Sequence, residues 1–329
     1  MRLFRTVLPT ASKLMDFPSI KSVTVSKIAL NLACALITIF GAGSRDVVAA
    51  TTNPDAGARL FPPEADWPAG RDASPAFTPD GGTVFFTHGD GDARTIMISR
   101  RRDGHWSAPQ PASFSGVWRD IEPYMAPDGS YLVFISNRPA TPGGTPLDGY
   151  FSGKIQSRAG GAIWRVDRKG DEWGEAVRLP DIINSNSSIY SPALTSDGSV
   201  YFNQPDPVTR TSHIYRAQAR AAGFDEPMAL AISDPTTSEY DAAVAPDDSF
   251  MVFSSARPPA KPGQSLMFIA FRCHGAWSDP KPIEPSVRGI EARFSPDMKT
   301  LYFQAEMTTT SGVAIGAPSA RIFEMPFRS

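Results

Sequence analysis

Five short stretches of this chain set ionisable or hydrogen-bonding side chains at matching points along its length. They are Arg71-Asp72, Arg119-Asp120 with Glu122, Ile189-Tyr190-Ser191, Glu239 with Asp241, and Arg288 with Glu291 and Arg293. Brought to one place, arginine forks would hold a carboxylate or phosphate, and carboxylates would hold a cation or an amine. Two or three carboxylates around one ligand would also serve as acid and base on a glycosidic bond, with Asp72, Glu122, Asp241 and Glu291 as the candidates. The competing reading is structural. The same groups can pair with one another and with strand-end amides, and networks of that kind are commoner than catalytic ones.

Other chemistries lack a motif. His88-Gly-Asp-Gly-Asp92 alternates carboxylates as a calcium loop does, but the remaining ligands and the closing Glu are missing. His105 and His274 stand in equivalent turns near Trp106 and Trp277, while His88 and His213 are isolated, so no metal site is assigned. There is no Gly-x-Ser-x-Gly elbow and no Gly-rich phosphate loop. Nucleophilic hydrolysis and nucleotide chemistry are therefore unsupported, and no cofactor is expected.

The elements that must position the five charged stretches come from a repeat. Pro79-Asp80-Gly81, Pro127-Asp128-Gly129, Ser196-Asp197-Gly198, Pro246-Asp247-Asp248 and Pro296-Asp297-Met298 follow one another at 48, 69, 50 and 50 residues. Pro presets φ, Asp bonds its own backbone and Gly accepts positive φ, so each triplet is a hairpin turn. An apolar residue precedes each turn (Phe77, Met125, Leu194, Val244, Phe294), and a β-rich segment follows it. A third strand leads to a turn closed by Trp106, Trp173, Phe224 or Trp277, rings suited to wedging between sheets. Five units of about fifty residues in an all-β chain predict a five-bladed β-propeller of four-stranded antiparallel blades. The fifth unit ends after three strands, and Ala58 to Phe61 is an orphan segment, so the N-terminal strand is expected to complete the last blade and pair its open edge.

Residues 1–50 read as a cleaved signal peptide. Lys13, Lys21 and Lys27 precede an apolar run from Ile28 to about Gly43, and Val48-Ala49-Ala50 suits cleavage before Thr51. The run is too short for a comfortable membrane span, so no stable span is expected after cleavage. Residues 51–329 then form a single propeller domain with 26 basic and 32 acidic residues, a balance that offers nothing to nucleic acid.

The best copies of the unit are Asp120-Ile-Glu-Pro-Tyr-Met-Ala-Pro-Asp-Gly-Ser-Tyr-Leu-Val-Phe-Ile-Ser-Asn-Arg138 and Glu239-Tyr-Asp-Ala-Ala-Val-Ala-Pro-Asp-Asp-Ser-Phe-Met-Val-Phe-Ser-Ser-Ala-Arg257. This pattern resembles the TolB-like bacterial β-propeller repeat over nearly all of residues 58–329. The resemblance implies an exported scaffold, periplasmic or secreted, and it fits no single activity. In a propeller the Pro-Asp-Gly turns lie on one face and the loops after the second and fourth strands on the other. Asn137, Arg138 and Arg257 begin such loops, and Asn137 to Gly161 and Gln304 to Ser319 are the longest of them. The expectation is a monomeric, non-catalytic module that binds an envelope protein, peptide or glycan on the loop-rich face. The alternative is a glycoside hydrolase or lyase working through the axial carboxylates.

Overall fold

The computed structural model describes residues 58–62, 67, 70–151, 153–283, 287, 289–306 and 320–327. The signal-peptide reading of residues 1–50, Arg288, and most of the predicted long loop from Gln304 to Ser319 lie outside the described residues. Among the described residues no helix is long and apolar enough to cross a membrane.

The protein is a five-bladed β-propeller, and each Pro-Asp-Gly-type turn joins the inner strand of a blade to the second. The inner strands are Asp72–Phe77, Asp120–Met125, Tyr190–Leu194, Glu239–Val244 and Ile290–Phe294. The second strands are Thr83–His88, Tyr131–Ser136, Val200–Pro205, Phe250–Ser255 and Thr300–Glu306. Third strands pair outside these, and short segments such as Met228–Ala229 or the longer Glu172–Arg178 form the outer edge. In the first and fourth blades the outer position is split between two short segments.

The turn chemistry works as the residue types dictate. In all five turns the aspartate accepts the amide two residues on: Asp80 from Gly82 at 2.9 Å, Asp128 from Ser130 at 3.0 Å, Asp197 from Ser199 at 2.9 Å, Asp247 from Ser249 at 3.1 Å and Asp297 from Lys299 at 3.1 Å. Gly129 is needed twice over. Its φ is +71°, and a Cβ there would stand 2.6 Å from Cδ of Pro79 in the neighbouring blade. Gly81 has the same handedness, φ +67°, with nothing within 4 Å. Gly129→Ala should therefore cost about 1–3 kcal/mol more than Gly81→Ala, read as the difference in thermal melting between the two variants.

The aromatic turn residues wedge between blades as the repeat predicts. Trp173 of the second blade meets Phe85 of the first edge-on at 5.1 Å, and Trp277 of the fourth meets Tyr201 of the third at 6.3 Å. The seam is also where it was expected. Arg59–Leu60 pairs with Glu324 and Phe323 of the last blade, and the Phe61 amide donates to the Ile322 carbonyl at 2.9 Å. Phe61 is buried among Phe77, Trp106 and Tyr302, three rings with centroids within 6 Å of its own.

Candidate functional site

Each inner strand carries the same irregularity. Its pairing with the second strand slips just before Ala76, Tyr124, Ala193, Ala243 and Arg293. Two residues before each of these sits a non-glycine residue in the left-handed region: Ser74, Glu122, Ser191, Asp241 and Glu291, with φ between 50 and 59°. That conformation is costly for such residues and persists when the surroundings hold it in place. Here it turns five side chains into one hydrogen-bonded belt around the axis.

The belt runs from blade to blade. The Ser74 hydroxyl donates to Glu291, the Glu291 amide donates to Asp241 at 3.1 Å, and the Ser191 hydroxyl donates to Asp241 at 2.5 Å. The Ser191 amide donates to Glu122, and the Glu122 amide donates to the Thr87 hydroxyl at 2.8 Å, which returns the belt to the first blade. Three carboxyl groups in one buried ring resist ionising together. Burial first, then the charges of Glu291 and Asp241, push Glu122 up to about 7, and burial with Glu291 pushes Asp241 up to about 6.

The other acidic residues of the five stretches lie elsewhere. Asp120 pairs with Arg138 at 3.2 Å, and Arg138 also donates to the Phe114 carbonyl. Glu239 pairs with Arg257 at 2.8 Å, and Arg257 donates to the Ile232 carbonyl at 2.9 Å. Asp72 takes the same position with His88 at 2.7 Å and Arg321 at 2.8 Å. All three carboxylates are buried; Arg138 and Arg257 fasten their inner strands to the loops beside them, while His88 and Arg321 hold Asp72 to the second strand of its own blade and to the third strand of the fifth. Asn137 braces its loop too, accepting from the Arg119 amide at 3.0 Å and donating to the Arg158 carbonyl at 2.8 Å. Arg71 stands 3.5 Å from Asp90, and Asp92 stands 3.2 Å from Arg158. The alternating carboxylates of the His88 to Asp92 segment thus face arginines.

Above the belt, on the loop-rich face, a mouth of about 490 Å3 opens over Glu122, Ser191 and Asp241. Its walls carry Arg94, Arg119, Arg210, Tyr150, Tyr190 and Tyr240. Arg119 is buried, its Nη1 lacks a hydrogen-bond partner, and burial lowers the pKa of its guanidinium against the pull of Glu122. The long loop after Asn137 forms a hairpin, Gly149–Phe151 with Lys154–Gln156, that brings Tyr150 over the mouth. The Tyr190 hydroxyl holds that loop through the Ala159 carbonyl at 2.7 Å. Arg293 lies on the other side of the belt, toward the turns.

Of the residues expected at the axis, Arg119, Glu122, Tyr190 and Asp241 meet at this mouth, and Glu291 joins them through the belt. Sequence reasoning passed over Ser74, Thr87, Arg94, Tyr150, Arg210 and Tyr240. Ser74 shares the repeat phase of Glu122 and Asp241, and that phase was a readable signal. Arg94, Tyr150 and Arg210 come from loops without a common phase.

No family model matches the chain, and no curated protein matches it. Solved structures that resemble it include TolB from Acinetobacter baumannii, at 13% identity over 78% of this chain and 54% of that one, TM-score 0.44. The chain thus spans about half the length of that protein. A putative TolB from Agrobacterium tumefaciens aligns at 13% identity over 79% of this chain and 91% of that one, TM-score 0.47. A thermostable family-43 glycoside hydrolase aligns at 11% identity over 80% and 96%, TM-score 0.49.

Proposed function

We propose that this chain is an exported, monomeric propeller of the TolB-like kind, working in the periplasm or outside the cell, and that it binds an acidic envelope glycan in its axial mouth. The observation that carries this reading is the composition of the mouth. Three arginines and three tyrosines surround a floor of hydroxyl and carboxyl groups. Arginine forks match sugar carboxylates, tyrosine rings match the apolar faces of sugar rings, and the floor offers both donors and acceptors to hydroxyls. A folded protein partner would ask for about 800 Å2 of contact on this side, more than a mouth alone supplies.

A second reading, a glycoside hydrolase or lyase, draws on Glu122 and Asp241, which titrate near 7 and 6 where an acid and a base would be useful. The two readings diverge in one experiment. Titrating uronic-acid oligosaccharides into the protein should give saturable binding with no new reducing or unsaturated ends. Arg119→Gln should weaken binding by about tenfold or more, while Glu122→Gln and Asp241→Asn keep it. Cleavage by the parent that disappears in Glu122→Gln, with the fold retained, would replace the binding reading with the catalytic one.

A further inference from the structure

The axis has a second opening, on the turn face, and its contents are not explained by the repeat. Where the inner strands regain register after the bulge, three blades place Ala76, Ala193 and Ala243. The second and fifth blades place Tyr124 and Arg293 there instead. Of the three alanines, Ala76 lines a cavity on this face, and Arg293 puts a cation beside it.

Arg293 is only 2% exposed. Its Nη1 donates to the carbonyl of its own neighbour Ala292 at 2.7 Å, and its Nε and Nη2 have no hydrogen-bond partner. Among the described residues no carboxylate lies within ion-pair distance of it. Asp241 feels its charge but is already bonded by Ser191 and the Glu291 amide. The guanidinium lies 5.2 Å from the Tyr124 ring centre, and the Tyr124 hydroxyl is tied to the Val244 carbonyl at 3.2 Å, so the stack is fixed. A buried cation with open donors is expensive to keep unless something anionic completes it.

The cavity that Arg293 lines measures about 140 Å3 and is rimmed by Pro79, Pro127, Pro246 and Pro296, with Phe77 and Phe294 beside them. An apolar cavity of roughly 150 Å3 accepts benzene. We propose that this turn-face pocket is a binding site for a small apolar carboxylate, its phenyl-sized body among the prolines and its carboxylate drawn to the Arg293 guanidinium. The site is separate from the glycan mouth, from which the belt divides it, so either can fail without the other.

Calorimetric titration of 3-phenylpropionate and of its uncharged amide into the full chain tests this. The acid should bind at least about tenfold more tightly than the amide, the ratio expected of a charge-assisted pair. Arg293→Gln should bring the two ligands to equal affinity. Pro127→Trp, at the half-exposed rim and outside the core, should weaken both, which keeps the test valid if the buried variant folds poorly. Peptides ending in Phe with free or amidated C-termini form the second arm. Tighter binding of the free-acid peptide than of 3-phenylpropionate assigns the carboxylate to a chain end, and the reverse assigns it to a free acid. Equal binding of acid and amide to the parent, no binding of either acid, or a preference that survives in Arg293→Gln would overturn the site.

Discussion

A chain carrying Phe61→Ala will melt roughly 10 °C below the parent, although Phe61 lies outside all five repeat units. Removing a fully buried phenylalanine side chain costs about 3–5 kcal/mol, and a domain of this size loses roughly 2–4 °C for each kcal/mol. Phe61 contacts both sides of the seam, reaching Tyr302 of the fifth blade and Phe77 and Trp106 of the first. Its loss therefore loosens the ring where the two ends of the chain meet. Deleting residues 51–62 should cost more, since the backbone pairing with Phe323 and Glu324 goes as well. A truncated chain that kept the parent's melting temperature would show that the ring does not depend on this strand.

Glu122→Gln will raise the melting temperature at pH 8 and leave it almost unchanged at pH 4. In the unfolded chain the Glu122 and Asp241 carboxyls release their protons in the ordinary carboxylate range, while in the folded belt they hold them to about 7 and 6. Between those limits the folded state binds more protons than the unfolded one, so stability falls as pH rises. The contribution is fully present below the ordinary range and is lost by pH 8. Each unit of difference corresponds to about 1.4 kcal/mol, so glutamine, which cannot ionise and still accepts the Ser191 amide, should recover about 2–3 kcal/mol at high pH. Melting both proteins from pH 4 to pH 8 isolates this effect, because the turn aspartates and the paired Asp72, Asp120 and Glu239 are common to both. A gap that does not change with pH would mean that the belt carboxyls titrate normally.

The turns were legible because each residue in Pro-Asp-Gly has its own local reason for its place, and local reasons survive in sequence. The split fifth blade was legible by arithmetic, since a unit one strand short implies a donor elsewhere. The site was legible only in part. In a regular strand Glu239 and Asp241 would share a face, as would Asp120 and Glu122. Reading them as one cluster followed from their shared place in the repeat, and a regular strand would have kept each pair together. The left-handed residue in each bulge breaks the alternation, sending Glu122 and Asp241 to the axis while Asp120 and Glu239 meet Arg138 and Arg257 inside the fold. A glycine would have announced such a conformation, but Ser, Glu and Asp do not. The walls of the mouth were harder still, because Tyr150 arrives on a loop whose path depends on the Asn137 and Tyr190 bonds rather than on any repeat.

The pairing of Arg59 with Glu324 spans 265 residues of chain. Closing so long a loop is slow, because its entropy cost is met before the contact rewards it. The first four blades are each built from strands close in sequence, whereas the fifth is complete only when a strand from the far end of the domain joins it. Without either partner of this pairing the fifth blade keeps a bare sheet edge and a loosened Phe61, so the seam is the place from which the ring would first come apart.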